Sequence, residues 1–284
     1  RKNLAYVECH NEVFPLHNTT HPLIQLNQRQ QMIVDKILDN RQTFTVTVVD
    51  GVTGSGKTAV YLQAIEQLVQ QEHQALVLVP EITLTPQTIK YFAQRLSVPV
   101  IAWHSRLTSK ERLLAWSHTR SGVPSVIIGT RSAVFMPIPK LKIIVIDEEH
   151  DISFKQQDKL RYNARDVAIW RARAQGLPIM LGSATPALET LTKAWNGSYE
   201  YFRLPDRAGT AQAPELKLID IKGQAMTHGL SNTLLTAIDQ HVSSGNQALL
   251  LLNRRGFAPV LLCHSCAWVA ECDNCDARLT YHLR

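Results

Sequence analysis

Two short segments of this chain have the residue types and spacing that phosphate chemistry needs. Gly51-Val52-Thr53-Gly54-Ser55-Gly56-Lys57-Thr58 fits GxxxxGK[ST] in full. Its glycines let successive backbone N–H groups turn toward the β- and γ-phosphates of a nucleotide, at a helix N-terminus that already favours anions. Lys57 brings a positive charge to those phosphates, and the Thr58 hydroxyl is placed to ligate Mg²⁺. Downstream, Asp147-Glu148-Glu149-His150 follows the apolar run Ile143–Ile146. Carboxylates at the carboxyl end of a buried strand stand where an open α/β sheet meets its ligand. In that place Asp147 would hold Mg²⁺ and Glu148 would orient and deprotonate the attacking water. Together the segments imply ATP and Mg²⁺ as cofactors, with Lys57, Asp147 and Glu148 as the catalytic groups. His150 reads either as a link from nucleotide state to a neighbouring segment or as a satisfied polar residue at a strand end.

Three further groups of residues carry possible chemistry. Gly182-Ser183-Ala184-Thr185-Pro186 follows the apolar run Ile179–Leu181, and the hydroxyls of Ser183 and Thr185 can hydrogen-bond in two directions, as a coupling element requires. Ile152–Gln175 carries six Lys or Arg against Asp158 and Asp166, a local net charge of +4. Phe154 and Tyr162 interleave with those charges, the pattern expected where bases stack while cations hold phosphates. A solvated basic helix face with two core aromatics is the competing reading. Arg131 and the loop Thr83–Thr88 are further candidates for gripping phosphates, and His104 reads as structural. Finally, Cys263-x₂-Cys266 and Cys272-x₂-Cys275 have the spacing of two metal knuckles, compatible with one compact tetrahedral Zn²⁺ site. His264 and His282 are possible substitutes as ligands, and the isolated Cys9 reads as a plain thiol.

These groups need rigid elements to hold them. Apolar runs rich in Val and Ile occur at Phe44–Val49, Ala75–Val79, Val126–Ile128, Ile143–Ile146 and Ile179–Leu181. Being nearly continuous in apolar character, they predict strands buried on both faces of a parallel sheet. Amphipathic stretches between them, such as Lys57–Gln71 and Glu111–Arg120, predict helices, the second behind a capping box at Thr108-Ser109-Lys110-Glu111. The α/β rhythm runs from about residue 26 to 196. Asn196–Pro214, with Pro205, Gly209 and Pro214, reads as a connector. A second α/β unit then begins, with Leu216–Ile221 and Ala248–Leu252 as strands and Leu230–Val242 as helix.

Composition agrees with a globular protein: of 284 residues 45% are hydrophobic and 19% charged. The formal net charge of +6 suits a polyanionic partner. No apolar run reaches the roughly 18–20 residues needed to span a bilayer, and the segment after Arg1-Lys2-Asn3-Leu4 lacks a signal-peptide core. The expectation is a cytoplasmic protein without a membrane partner. In that setting crowded cysteines favour metal over disulfides.

The P-loop, the DExH-like box and the Ser-Ala-Thr turn, in this order, resemble superfamily 2 helicases. Val79–Gln87, Ile128–Ala133, Asp147–His150 and Asn253-Arg254-Arg255-Gly256-Phe257 followed by paired cysteines narrow the resemblance to the bacterial replication-restart helicases, over Leu26 to Cys275. What the resemblance implies is an ATP-dependent 3′→5′ DNA helicase. It would act on branched forks and single-stranded DNA and help reload the replisome with other primosome proteins and single-strand binding protein. The implied fold is a RecA-like P-loop sheet with helices on both faces, then the start of a second RecA-like lobe carrying a Cys-rich zinc insertion. By the same resemblance Gln30 reads adenine, an exposed helix-face glutamine being the competing reading. The basic stretch after the acid box is an aromatic-rich loop that links DNA to hydrolysis, with Phe154, Lys155, Arg161, Tyr162, Arg165 and Arg131 as DNA contacts. The family's eight cysteines form two interleaved zinc sites, of which Cys263, Cys266, Cys272 and Cys275 are the first four. The implied domains are 1–25 as remnant of an amino-terminal region or linker, 26–196 as the ATP-binding lobe, 197–262 as linker and beginning of the second lobe, and 263–284 as a partial zinc insertion. The family's arginine-bearing motif lies beyond the residues given, so the chain is expected to be a fragment that binds nucleotide and DNA with inefficient turnover. A related double-strand DNA translocase is the other enzyme reading.

Overall fold

Val- and Ile-rich segments pair edge to edge into one seven-stranded parallel sheet in the computed structural model of the chain. The structure describes residues 24–70, 72–207, 215–251, 260–263, 265–266, 268–273 and 275–279. The strands are β1 (Val46–Gly51), β2 (Gln74–Leu78), β3 (Val100–Trp103), β4 (Ser125–Gly129), β5 (Leu141–Asp147), β6 (Ile179–Ser183) and β7 (Glu200–Leu204). Their order across the sheet is β3-β4-β2-β5-β6-β1-β7, with every pair parallel. Successive side chains of a strand point to opposite faces, and both faces are covered. Val49, Val77 and Val145 pack on one side, with α1 (Gln28–Asp39), α2 (Lys57–Val69) and α3 (Pro86–Ala93). Val48, Leu76, Leu78 and Ile146 pack on the other, with α5 (Ala164–Gln175) and α6 (Leu188–Trp195). Between α3 and α5 in sequence lies α4 (Ser109–Arg120). The RecA-like sheet read from the sequence is therefore present.

Local sequence explains the helix starts. Thr108 accepts from the Glu111 backbone N–H while Glu111 reaches back, the capping box expected before α4. Asn27 and Gln30 form a second capping box on α1. At the other end of α5, Gly176 takes the left-handed conformation (φ 63°) that closes a helix without a Cβ penalty.

Two strands of this sheet lie where none was expected. The first, β3, is a four-residue edge strand beside β4. The second, β7, lies inside the stretch read as a connector and pairs with β1 from Thr47↔Glu200 to Gly51↔Leu204. Its sequence Glu-Tyr-Phe-Arg-Leu carries two charges in five residues, so it lacks the apolar signal of its neighbours. The sheet thus runs past the boundary expected at 196. The rest of the connector, 208–214, lies outside the described residues.

The chain divides into two compact units, Arg1–Gln212 and Ala213–Arg284. The second contains α7 (Asn232–Ser243), where a helix was expected, and two small hairpins, β8 (Met226–Thr227) with β9 (Leu230–Ser231) and β10 (Glu271–Cys272) with β11 (Cys275–Arg278). The strands expected at 216–221 and 248–252 do not form among the described residues. Leu216, Leu218 and Leu249 are almost fully exposed there, and a strand without a paired neighbour has no ladder to hold it. No helix among the described residues is long and apolar enough to cross a membrane.

Candidate nucleotide site and the segments around it

Because the strands are parallel, the loops that follow them all leave from one edge of the sheet. The P-loop follows β1, residues 79–85 follow β2, residues 130–136 follow β4, the acid box follows β5, and Ser183–Thr185 follows β6. Within the P-loop, Gly54 and Gly56 hold φ of 81° and 83°, values that L side chains rarely take. A Cβ on Gly51 would lie 2.4 Å from Ser55 Oγ. Lys57 is buried and donates from Nζ to the Gly51 carbonyl at 2.7 Å. Ser55 Oγ is buried with no hydrogen-bond partner among the described residues. A buried hydroxyl without a partner costs about 1–3 kcal/mol; together with the two glycine turns it is what an anion-accepting loop looks like. The loop, with Ile24, Tyr91, Asp147 and Glu148, lines a cavity of about 330 Å³, within the size range of small-molecule sites. Thr58 and Asp147 also line an adjoining cavity of about 400 Å³. A hydroxyl and a carboxylate that share one cavity fit the oxygen donors Mg²⁺ prefers.

Gln30 is packed against this loop. Its Nε2 donates to the Ser55 carbonyl at 2.8 Å, and its Oε1 accepts from Asn27 N–H at 2.9 Å. The side chain foreseen as an exposed helix-face residue or an adenine reader is thus buried, and both its amide ends are engaged.

In the acid box each residue has a different environment. Asp147 closes β5 and accepts from the Tyr61 hydroxyl at 3.2 Å. Burial raises its pKa to about 6, helped by the neighbouring Glu148 charge, while Lys57 and Tyr61 pull partly back. Glu148 has φ of 49°, an uncommon conformation for a residue with a side chain. It costs on the order of 1–3 kcal/mol where it occurs and is found at functional sites. His150 Nδ1 meets Ser183 Oγ at 2.7 Å, and its Nε2 meets Thr185 Oγ1 at 3.3 Å. The Thr185 N–H also donates to Ser183 Oγ. The three residues read as coupling groups therefore form one hydrogen-bonded set.

Glu149 was given no role from sequence, yet it is the most enclosed acid of the box. Its carboxylate accepts from Arg165 Nη1 at 3.0 Å, Ala187 N–H at 2.7 Å and Thr190 Oγ1 at 3.0 Å. One side chain thus ties the end of β5 to α5 and to the first turn of α6. The available signal was Ala187, the N-cap of α6, which has no side-chain oxygen to satisfy the helix's first N–H groups. Arg165 answers this charge. Burial alone would lower its pKa, but the hydrogen bond and charge of Glu149, with Asp166, raise it.

Two of the residues foreseen as DNA contacts are placed otherwise. Phe154 is 1% exposed in the core beneath the sheet, so its ring offers no face to a base. Arg165 commits its guanidinium to Glu149 and Asp166. The short 3₁₀ turn Ile152–Phe154 is what tucks the aromatic ring inward. Arg131 donates to the carbonyls of Ser153 and Lys155 at 3.2 and 3.0 Å, bracing this loop from the segment after β4. Tyr162 is half-buried and stands edge-on to Phe135 with ring centres 5.0 Å apart. Lys155 and Arg161 remain exposed.

Of the cysteine cluster, Cys263 has its thiol pKa lowered by the backbone N–H groups of Cys266 and Ser265. Cys272 and Cys275 face each other across the β10–β11 hairpin. A lowered pKa favours the thiolate, the form of cysteine that metals bind. Among the described residues, however, no group of three or more His, Cys, Asp or Glu converges enough to hold a metal. The compact four-cysteine site is therefore not formed there. His264, His282, Cys9 and Asn253–Phe257 lie outside the described residues.

The sequence profile described as DEAD/DEAH box helicase matches residues 27–194. The chain is 47% identical over 268 residues to the replication restart protein PriA of Haemophilus influenzae, covering 94% of this chain and 36% of that protein. It is 40% identical over 285 residues to the same-named protein of Bacillus subtilis, covering 98% of this chain and 35% of that protein. The chain thus spans about a third of the length of these relatives. Among solved structures, RecG bound to a three-way DNA junction is similar over 67% of this chain and 25% of that one, at 20% identity and a TM-score of 0.49.

Proposed function

The chain belongs to the DEAD/DEAH box helicase family, and on that premise we propose that it is the ATP-binding part of a 3′→5′ DNA helicase that restarts stalled replication forks. One observation carries the reading. The P-loop, Asp147 and Glu148 line a single cavity, and His150 hydrogen-bonds from that acid box to Ser183 and Thr185.

The residues divide the work as follows. Thr53, Gly54 and Gly56 offer backbone N–H groups to the phosphates, while the Val52 and Ser55 N–H groups hold the loop's shape through the carbonyls of Leu204 and Val52. Lys57 exchanges the Gly51 carbonyl for them. Thr58 and Asp147 would hold Mg²⁺, which supplies charge neutralisation to the phosphates when bound. Glu148 orients the attacking water and accepts its proton. His150 carries a change at Glu148 to Ser183 and Thr185. Gln30 senses the nucleotide through the P-loop carbonyl it holds. Lys155 and Arg161 bind the DNA phosphates, on a loop braced by Arg131 and capped by Tyr162. The cysteines are the first halves of zinc knuckles in the second unit. In this reading the protein works in the cytoplasm, on forks and single-stranded DNA, with other primosome proteins and single-strand binding protein.

Strand displacement from a forked DNA by the protein that contains this chain, with ATP, tests the reading. Unwinding that Lys57→Ala abolishes, together with binding of labelled ATP, is the expected result. Movement along duplex without strand separation would assign a double-strand translocase instead. Nucleotide binding undiminished by Lys57→Ala would remove the P-loop assignment.

A further inference from the structure

We infer that Tyr61 is a positioning residue that fixes the Asp147 carboxylate for its part in holding the nucleotide's Mg²⁺, and that Gly182 is a glycine to make room for it. Three observations carry this. Tyr61 sits in α2, one turn beyond Lys57, and is fully buried in the core. A buried phenol needs a partner for its O–H, and Tyr61 finds it in Asp147 Oδ1 at 3.2 Å. The ring of a purely hydrophobic residue would fill the same space without reaching the end of β5. The third observation is steric. A Cβ on Gly182 would lie 1.5 Å from the Tyr61 oxygen and 2.6 Å from the ring carbon that bears it. The strand end that leads into Ser183 therefore gives up a side chain at the one place the hydroxyl occupies.

The geometry links three elements at one atom. The helix that follows the P-loop, the strand that ends in Asp147 and the strand that ends in Ser183 all meet at the Tyr61 hydroxyl. A carboxylate with one oxygen pinned keeps its other oxygen aimed, and that restricts the rotation which would otherwise have to be frozen when a cation binds. Tyr61 touches neither nucleotide nor metal in this arrangement; it acts through Asp147. The inference rests on the assignment of the nucleotide site.

The test compares wild-type protein with Tyr61→Phe, using a fluorescent ATP analogue titrated in excess Mg²⁺ and again in EDTA. The ratio of the two affinities isolates the magnesium-dependent step. Tyr61→Phe is expected to shrink that ratio about tenfold, on the scale of one hydrogen bond to a charged group, while the affinity in EDTA stays within about twofold. A ratio unchanged within about twofold would overturn the inference. So would a parallel fall in both affinities with an earlier thermal melt, which is the signature of lost packing. Wild-type protein that fails to bind the analogue in either buffer would instead overturn the nucleotide-site assignment beneath it.

Discussion

Replacing Glu149 should cost the fold more than replacing any other acid of the Asp147–His150 box. The side chain is fully enclosed, and Arg165, its charged partner, is 11% exposed. Glu149→Ala leaves three donors facing a void: the Arg165 guanidinium, the Ala187 N–H and the Thr190 hydroxyl. Breaking a buried ion pair by removing one partner costs about 3–5 kcal/mol. The two neutral donors left behind add up to about 1–3 kcal/mol each, less whatever water enters the cavity. A loss of about 4–6 kcal/mol is expected, which is a large share of the roughly 5–15 kcal/mol that stabilises a typical domain. Glu149→Gln keeps the volume but turns an N–H toward existing donors, and should lose about 2–4 kcal/mol. Urea unfolding followed by far-ultraviolet circular dichroism measures both. With a slope of about 2–3 kcal/mol per molar, the glutamine variant should unfold at a midpoint lower by about 1 M. Adding Arg165→Met to Glu149→Gln should recover part of the loss, because the uncompensated cation is gone. A glutamine variant within about 0.5 kcal/mol of wild type, or strict additivity in the double variant, would refute the reasoning.

Three other outcomes follow from the geometry. Gly182→Ala should lower stability by about 2–4 kcal/mol, since its Cβ would meet the Tyr61 hydroxyl and not open space; thermal melting reads it. For Asp147 the folded pKa of about 6 lies above its ordinary 3.8, so ionising it opposes folding of the metal-free protein. That cost vanishes only well below pH 3.8, grows between pH 4 and 6 and is constant above; Asp147→Asn should therefore stabilise by up to about 3 kcal/mol at pH 7.5 and by only about 0.5 kcal/mol at pH 4, as denaturant midpoints at the two pH values will show. Lys155→Ala with Arg161→Ala should weaken single-stranded DNA binding and flatten its salt dependence by about one to two counterions, without changing the melt; fluorescence anisotropy against salt concentration checks both.

The parts of this molecule that could be read from residue order are those where burial is complete. The strands β1, β2, β4, β5 and β6 are built on apolar runs, and all but β2 end in glycine, hydroxyl or acid, so the sheet and most of its ligand-facing edge are written locally. The edge strand β7 is not, because Glu200 and Arg203 tolerate solvent at the rim of the sheet and hide its pairing with β1. Phe154 shows the limit of reading charge and aromatic pattern together. Among lysines it looks like a stacking platform, but a single 3₁₀ turn decides which of Ile152 and Phe154 faces water, and it exposes Ile152. Glu149 was illegible for a different reason. Two of its three donors are a backbone N–H and a threonine hydroxyl about forty residues later, groups that carry no pattern of their own until the chain has folded.

The pairing of β7 with β1 has a mechanical meaning. The last residue of β7, Leu204, accepts a hydrogen bond from Val52 N–H inside the phosphate loop. The polypeptide therefore departs from the sheet at the loop that grips nucleotide. Tension applied along the departing chain loads the β1–β7 ladder in shear, so its hydrogen bonds share the force instead of opening one at a time. The phosphate loop is thus stitched directly to the strand from which the chain leaves the sheet.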